Sequence, residues 1–381
     1  MSSTRPPGRA PRRRLTRRVV AAATVAVAAG AVLTACSSGS SGPPTITFYD
    51  QPSSVAAQQA AIDACNKAAN GKYHLVLDQL PSAADQQRQQ LVRRLAAHDS
   101  SIDLMGLDVT WPAEFWSAGW IREWTGADKA NIEKNDLPGP IATATYHGHL
   151  TSAPFNSNTQ LLWYRSDLVK TPPKTWGQMI AMSKQLASQG KPSYIEEQGA
   201  QYEGLTVWFN SLINSAGGTV LNANSSAPSL GAPAVKAATI MHELATTKGV
   251  GDPSLSVDME DQGRLAFEAG KAAFEINYPY VWPSMLTDNP STKTFNGKPL
   301  EKDFKWAPFP SVTAGKAGKS SIGGIDIAVS KYSTHPALDF QAANCLTNTS
   351  SQEVLANLGG LPPVGKSLYA NPPKAFAKAY P

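Results

Sequence analysis

Thr45-Ile46-Thr47-Phe48-Tyr49, then an alanine-rich stretch over residues 55–69, Tyr73-His74-Leu75-Val76-Leu77, residues 85–97 and Ile102-Asp103-Leu104-Met105 together decide the fold. The first, third and fifth pieces are short apolar or alternating runs with the period of a strand. The second reads as a helix stopped by Asn70-Gly71. The fourth sets Leu91, Val92 and Leu95 on one helical face, with Arg and Gln opposite. Strand, helix, strand, helix, strand predicts a parallel sheet with right-handed crossovers. Ligands of such sheets sit beyond the carboxyl ends of the strands. Asp50 follows the first strand and Asp108 the third, so both carboxylates are expected at that edge.

Farther along, the pattern resets. Leu161-Leu162-Trp163-Tyr164 reads as a strand, and Thr175, with Gln178 three residues on, as a helix cap. Helical stretches follow over residues 202–215, 233–246 and 261–269, giving a second, more helical α/β lobe. Ile325-Asp326-Ile327-Ala328-Val329 then alternates as a strand, and a helix is predicted over 336–347. This last unit is more like the first lobe than the second.

Upstream, residues 1–35 hold seven arginines and no acid, whereas the whole chain carries +5. The remainder is therefore near −2, so the basicity belongs to the leader and nucleic acid is not an expected partner. The apolar run over 19–35 is short for a membrane span. Leu33-Thr34-Ala35-Cys36 resembles the lipobox of bacterial lipoprotein signals. That resemblance implies a signal peptide over 1–35, acylation (palmitate) at Cys36, and a mature protein anchored to the extracytoplasmic face of the cell membrane. Residues 36–44 form the flexible Ser/Gly/Pro tether. Arg17-Arg18 leave Sec and twin-arginine export both open. Outside the cell a disulfide between Cys65 and Cys345 is permitted, and two separate buried thiols are the alternative. His147-Gly148-His149 has no further ligand nearby in sequence and reads as a loop. No metal or cofactor is expected.

Several pieces in order carry a family resemblance: Ser101-Ile102-Asp103-Leu104, Gly148-His149-Leu150-Thr151-Ser152-Ala153-Pro154, Leu162-Trp163-Tyr164-Arg165-Ser166-Asp167-Leu168, Phe267-Glu268-Ala269-Gly270-Lys271 and Gly359-Gly360-Leu361-Pro362. Their succession resembles the ABC-importer extracellular sugar-binding (family 1) solute-binding proteins. Gln198-Gly199-Ala200-Gln201-Tyr202-Glu203-Gly204-Leu205 and Asn277-Tyr278-Pro279-Tyr280 resemble the mycobacterial trehalose-binding lipoprotein branch. The resemblance implies a two-lobed periplasmic-binding-protein-like α/β fold, with crossing hinge strands and ligand in the interlobe cleft. Carried onto this chain, the N-terminal lobe is 45–156 with 322–367 and the C-terminal lobe 157–321 with 368–381. Family members continue with further helices, so the second lobe is expected to be incomplete at Pro381. The implied function is capture of a trehalose-like disaccharide by lobe closure and its delivery to ABC permease subunits in the membrane.

A sugar offers hydroxyls that donate and accept, and a flat C–H face, so its site wants planar amides and carboxylates among aromatic rings. The candidates are Asp50, Asp108, Asn156, Asn158, Tyr202, Glu260, Tyr278, Tyr280, Gly323 and Gly324. Several have a structural alternative: a helix cap for Asp108 and Glu260, loop capping for Asn156, Asn158 and Gln160, and a strand-entry turn for Gly323-Gly324. Tyr202 and Glu203 open a helix, where Glu203 suits the dipole. Of Tyr278, Tyr280 and Trp282, at least one is expected in the cleft. Trp116, Trp120, Trp124, Trp163, Trp176, Trp208 and Trp306 are assigned to the cores. The rival reading is a secreted glycoside hydrolase acting on disaccharides through paired carboxylates drawn from Asp258, Glu260, Asp261 and Asp108. No nucleophile elbow, phosphate loop or metal cluster accompanies them, and no catalytic residue is assigned.

Overall fold

The computed structural model describes residues 42–287, 294–295 and 298–374. The N-terminal apolar run and Cys36 lie outside the described residues, as do residues 375–381. Nine strands build two large sheets: β1 (Thr45–Asp50), β2 (His74–Gln79), β3 (Leu104–Asp108), β4 (Ala153–Thr159), β5 (Leu161–Arg165), β6 (Tyr194–Glu196), β7 (Ala272–Asn277), β8 (Phe304–Pro308) and β9 (Ile322–Val329). The helices used below are α1 (Val55–Ala69), α2 (Ala84–Ala96), α3 (Trp176–Ser188), α4 (Glu203–Ser215), α5 (Ala232–Thr246), α6 (Glu260–Glu268), α7 (Pro336–Leu346) and α8 (Thr349–Gly359).

The first sheet runs β2-β1-β3-β9-β4. The strands β1, β2 and β3 are parallel, as the strand–helix alternation predicts, and β9 enters antiparallel between β3 and β4. Side chains alternate across β1. Ile46 and Phe48 face a core shared with α1 and α7, and Tyr49 faces the opposite core with Leu91 and Leu95 of α2. Both faces are covered, which is why these strands are apolar nearly throughout. The strand β3 starts two residues later than Ile102. Asp103 lies just outside it, where its carboxylate accepts from Thr47 N at 2.9 Å and from the Ser333 hydroxyl at 2.8 Å. Cys65 on α1 and Cys345 on α7 form a disulfide with Cα atoms 5.8 Å apart, which decides the alternative the spacing leaves open.

The second sheet runs β8-β5-β7-β6. Along β5, Leu162 and Tyr164 join the core under α3, α4 and α5, while Trp163 joins a separate core with Phe267, Trp282 and Phe304. Thr175 caps α3 by accepting from Gln178 N at 3.1 Å, and Gln178 Oε1 accepts from Lys174 N at 2.8 Å. The two sheets define the two lobes of an α/β binding-protein fold.

One residue, Gln160, separates β4 in the first sheet from β5 in the second. It is buried: its N–H donates to Ser320 Oγ at 3.0 Å and its Oε1 accepts from Ser211 of α4 at 3.3 Å. The return crossing is tied to the same helix, with Ser321 N donating to Ser211 Oγ at 2.9 Å and Asn210 Nδ2 to Ser321 Oγ at 2.8 Å. Around Gly365 the chain stays against residues 134–137. Leu137 N donates to Val364 O at 2.8 Å, Lys366 Nζ donates to Lys134 O at 2.9 Å, and the helix Lys366–Ala370 follows directly.

Candidate ligand-binding cleft

Where the chain crosses between sheets, a cavity of about 460 Å³ opens, with walls from both lobes. The first lobe contributes Asp108 from the end of β3, Asn156 and Asn158 from β4, and Gly323 and Gly324 from β9. Facing them from the second lobe are Tyr202, Glu203, Glu260, Tyr278 and Tyr280. Asp108, Asn156, Asn158, Tyr202, Glu260, Tyr278, Tyr280, Gly323 and Gly324, scattered over the sequence, thus share one cavity wall. The parallel sheet ends there, and β7 ends at Asn277, immediately before Tyr278.

Asp50 is the exception and needs correcting. Its side chain is fully buried under the sheet, outside the cavity. Its Oδ2 accepts from Gln58 Nε2 of α1 at 2.7 Å and its Oδ1 from Gln51 N at 2.8 Å. The space for the carboxylate comes from Gly106 on the neighbouring strand, where a Cβ would lie 2.2 Å from Asp50 Oδ1. The strand's last residue turns inward because period two puts it on the side opposite Tyr49.

For the others, the capping alternatives resolve residue by residue. Asp108 Oδ1 accepts from both the amide of Thr110 at 2.9 Å and its hydroxyl at 2.6 Å, a local turn rather than a helix cap, and the residue still borders the cavity. Asn158 Oδ1 accepts from Thr159 N at 3.1 Å. Asn156 is buried and borders the cavity; its Nδ2 donates to Ser157 O at 3.0 Å, and its Oδ1 has no protein partner. The α6 cap belongs to Gln262, whose Oε1 accepts from Met259 N at 3.2 Å, so Glu260 is not the cap. Gly324 sits within β9, not in a turn. Its φ of +135° and a would-be Cβ 2.2 Å from Asn156 O show why glycine is needed beside β4. Gln160 lies in the crossing, away from the cavity.

The rings divide cleanly. Tyr278 and Tyr280 line the cavity, whereas Trp282 turns away and packs edge-on to Trp306 at 5.4 Å between centroids. Tyr280 donates to Asp261 Oδ1 at 3.0 Å. Tyr202 folds back over Gly204, where a Cβ would lie 2.1 Å from its hydroxyl, and that buried hydroxyl has no hydrogen-bond partner. Trp124, Trp163, Trp176 and Trp208 are core residues, as expected.

Burial dominates the electrostatics. It raises Glu203 to about 8, with the nearby charges of Asp108, Glu260 and Asp85 adding to the effect. Glu260 is also raised by burial, offset in part by its own amide. Asp108 is raised by burial and held down in part by Thr110. A carboxyl group held protonated near neutrality both donates and accepts, as a hydroxyl-bearing ligand requires.

The cavity also holds residues that residue-type reasoning passed over. Thr206 and Asn210 extend the Glu203 face of α4 at helical spacing, and Gln51, Gln87 and Ser321 add amide and hydroxyl groups. Asp258, proposed for the hydrolase reading, is not on the wall: it is buried and accepts from Ser254 Oγ at 2.8 Å. His149 pairs with Glu123 at 2.9 Å, and no cluster of three metal-ligand side chains occurs among the described residues. Among those residues no helix is long and apolar enough to cross a membrane.

Comparison with known proteins agrees with this architecture. Residues 50–353 match the family described as bacterial extracellular solute-binding protein. A probable ABC transporter-binding protein of Deinococcus radiodurans is 26% identical over 316 residues, covering 80% of this chain and 72% of the relative. The maltose-bound MalE3 of T. maritima superposes with a TM-score of 0.78 at 26% identity, covering 88% of this chain and 85% of that one. The GacH receptor of Streptomyces glaucescens shares the fold at 19% identity, with a TM-score of 0.74 over 88% of this chain and 83% of its own. With a cleft between two α/β lobes and a family match over most of its length, the chain belongs to the bacterial extracellular solute-binding proteins.

Proposed function

We propose that this protein is the substrate-binding component of an ABC sugar importer, capturing a trehalose-like disaccharide by lobe closure and passing it to a membrane permease. The observation that carries the reading is the cleft wall: planar carboxyl and amide groups from both lobes, interleaved with three tyrosines. Its volume of about 460 Å³ falls within the usual small-ligand range, roughly 300–1,000 Å³. Groups on both lobes give a bound ligand more contacts in a closed state than an open one, which is what closure requires. The sugar-binding relatives support the ligand class, and the ABC transporter relative supports the partner. Cys36 is taken as the acylated residue that keeps the protein at the membrane's outer face.

Calorimetric titration of residues 37–381 with trehalose, maltose and other disaccharides tests this. Saturable one-to-one binding without release of monosaccharide is expected. Turnover to glucose would support the hydrolase instead, and heat-silent titrations across the set would remove the sugar reading.

A further inference from the structure

The last residue of β7 carries a side chain that reaches two residues of the cleft without bordering the cleft itself. Along a strand every second residue shares a face, so Glu275 and Asn277 stand on the same side of β7, and both are buried. The Asn277 amide makes three bonds there. Its Nδ2 donates to Glu260 O, at the first residue of α6, at 2.9 Å and to Glu275 Oε1 at 2.6 Å. Its Oδ1 accepts from Tyr278 N at 2.8 Å. The backbone is held as well, with Asn277 O accepting from Trp163 Nε1 at 3.2 Å. Asn277 is not on the cavity wall, whereas Glu260, Tyr278 and Tyr280 are. Two donated hydrogens and one acceptor in a single short planar group is a demand that asparagine meets. Aspartate lacks the donors, glutamine is a methylene longer, and an aliphatic side chain would take a donor from both Glu260 O and Glu275 Oε1.

We propose that Asn277 is the positioning residue of the second-lobe wall, fixing Glu260 and residues 278–280 relative to one another, so that ligand affinity depends on a side chain the ligand does not touch. This rests on the cleft reading above and deepens it. Glu260 opens α6 and Tyr278 follows β7, so they belong to different elements, and the Asn277 amide bridges them directly. The bond from Tyr278 N sets the direction in which the chain leaves β7, and with it the place of the two tyrosines. The bond to Glu260 O sets the start of α6 against them. Asn277 is 2% exposed, so water does not stand in for these bonds when they are removed. A frame of this kind acts on affinity through preorganisation. Without it the ligand must order the wall, and part of the binding free energy goes into that ordering.

The test compares wild-type residues 37–381 with Asn277→Ala and with the double variant Asn277→Asp/Glu275→Gln. In the double variant donor and acceptor change places. The new glutamine donates to the new aspartate, which still accepts from Tyr278 N, and only the bond to Glu260 O is lost. Maltose and trehalose are titrated by calorimetry. Fluorotyrosine incorporation gives a ligand-free fluorine-NMR signal for Tyr278 and Tyr280, assigned with Tyr278→Phe and Tyr280→Phe. Asn277→Ala binds sugar about tenfold more weakly, and its Tyr278 and Tyr280 signals shift or split while that of Tyr73, in the first-lobe core, stays. The double variant melts above Asn277→Ala, because Glu275 regains a partner, yet binds about threefold more weakly than wild type. Full affinity recovered together with the melting temperature makes Asn277 merely structural and overturns the inference. Tyr278 and Tyr280 signals unchanged in Asn277→Ala overturn it too. Should Asn277→Ala fail to fold, the double variant decides by the same two readouts. If wild type binds neither sugar, the trehalose-like reading fails separately, and the fluorine signals still judge the positioning claim.

Discussion

Asp50 is a buried structural carboxylate, and its titration has a calculable consequence. Burial raises its folded-state pKa from 3.8 to about 7, against bonds from Gln51 and Gln58 that act the other way. In the unfolded chain the group titrates near about 3.9. A carboxyl whose folded pKa is raised binds its proton more tightly when folded. Its contribution is therefore most favourable below the unfolded pKa, and it declines as pH rises until the folded pKa is passed. The gap between the two states corresponds to about 4 kcal/mol in all, of which about 3 kcal/mol is lost between pH 5 and pH 8.5. Asp50→Asn removes this titration and keeps a planar group in place. Gln58 Oε1, which has no partner, is available to accept from the new amide. Other buried acids titrate too, but they cancel when the two proteins are compared at each pH. The assay is urea unfolding of both proteins at pH 5 and pH 8.5. The stability of Asp50→Asn relative to wild type should rise by about 3 kcal/mol over that interval. An unchanged difference, or one of opposite sign, refutes the buried, protonated Asp50.

Asn156→Ala and Tyr278→Ala should each weaken disaccharide binding about five- to tenfold by calorimetry. Cys65→Ser should lower stability by about 2–4 kcal/mol in urea titrations, and reductant should destabilise wild type but not the variant. Gly106→Ala should cost about 1–3 kcal/mol, since its Cβ would overlap the Asp50 carboxylate. Gly177→Ala is the opposite case: it lies in α3 with nothing within 4 Å of the added methyl, and should be neutral or stabilising by up to about 1 kcal/mol in the same denaturation assay.

The first lobe was legible because its strands are buried on both faces and its helices on one, so strand runs and amphipathic spacing separate cleanly in Ile46 to Met105. The placement of β9 was legible from the alternation in Ile325 to Val329, though its antiparallel entry beside β3 was not, since nothing local sets strand direction. Asp50 was misplaced because the residue pattern marks the end of a strand but not its facing side; one residue of register decides between cleft and core, and Gly106, which makes the room, lies far along the chain on β3. The chemistry of α4 was half visible. Glu203, Thr206 and Asn210 stand at spacing that reads as a solvated helix face, and only the opposing lobe turns that face into a cleft wall. Likewise Trp282 could not be told from Tyr278 and Tyr280 without the core formed by Trp306. Asp103 shows a further limit: its carboxylate takes the place of a ladder bond, shifting the start of β3 past the apolar run that signals it.

A co-crystal structure with a bound disaccharide tests the central claim most directly. The sugar should lie between the lobes, with hydroxyls on Asp108 and Asn156 from one side, on Glu203 or Glu260 from the other, and a ring face against Tyr278 or Tyr280. A sugar bound elsewhere on the surface, or one touching a single lobe with the cleft left open, contradicts capture by closure.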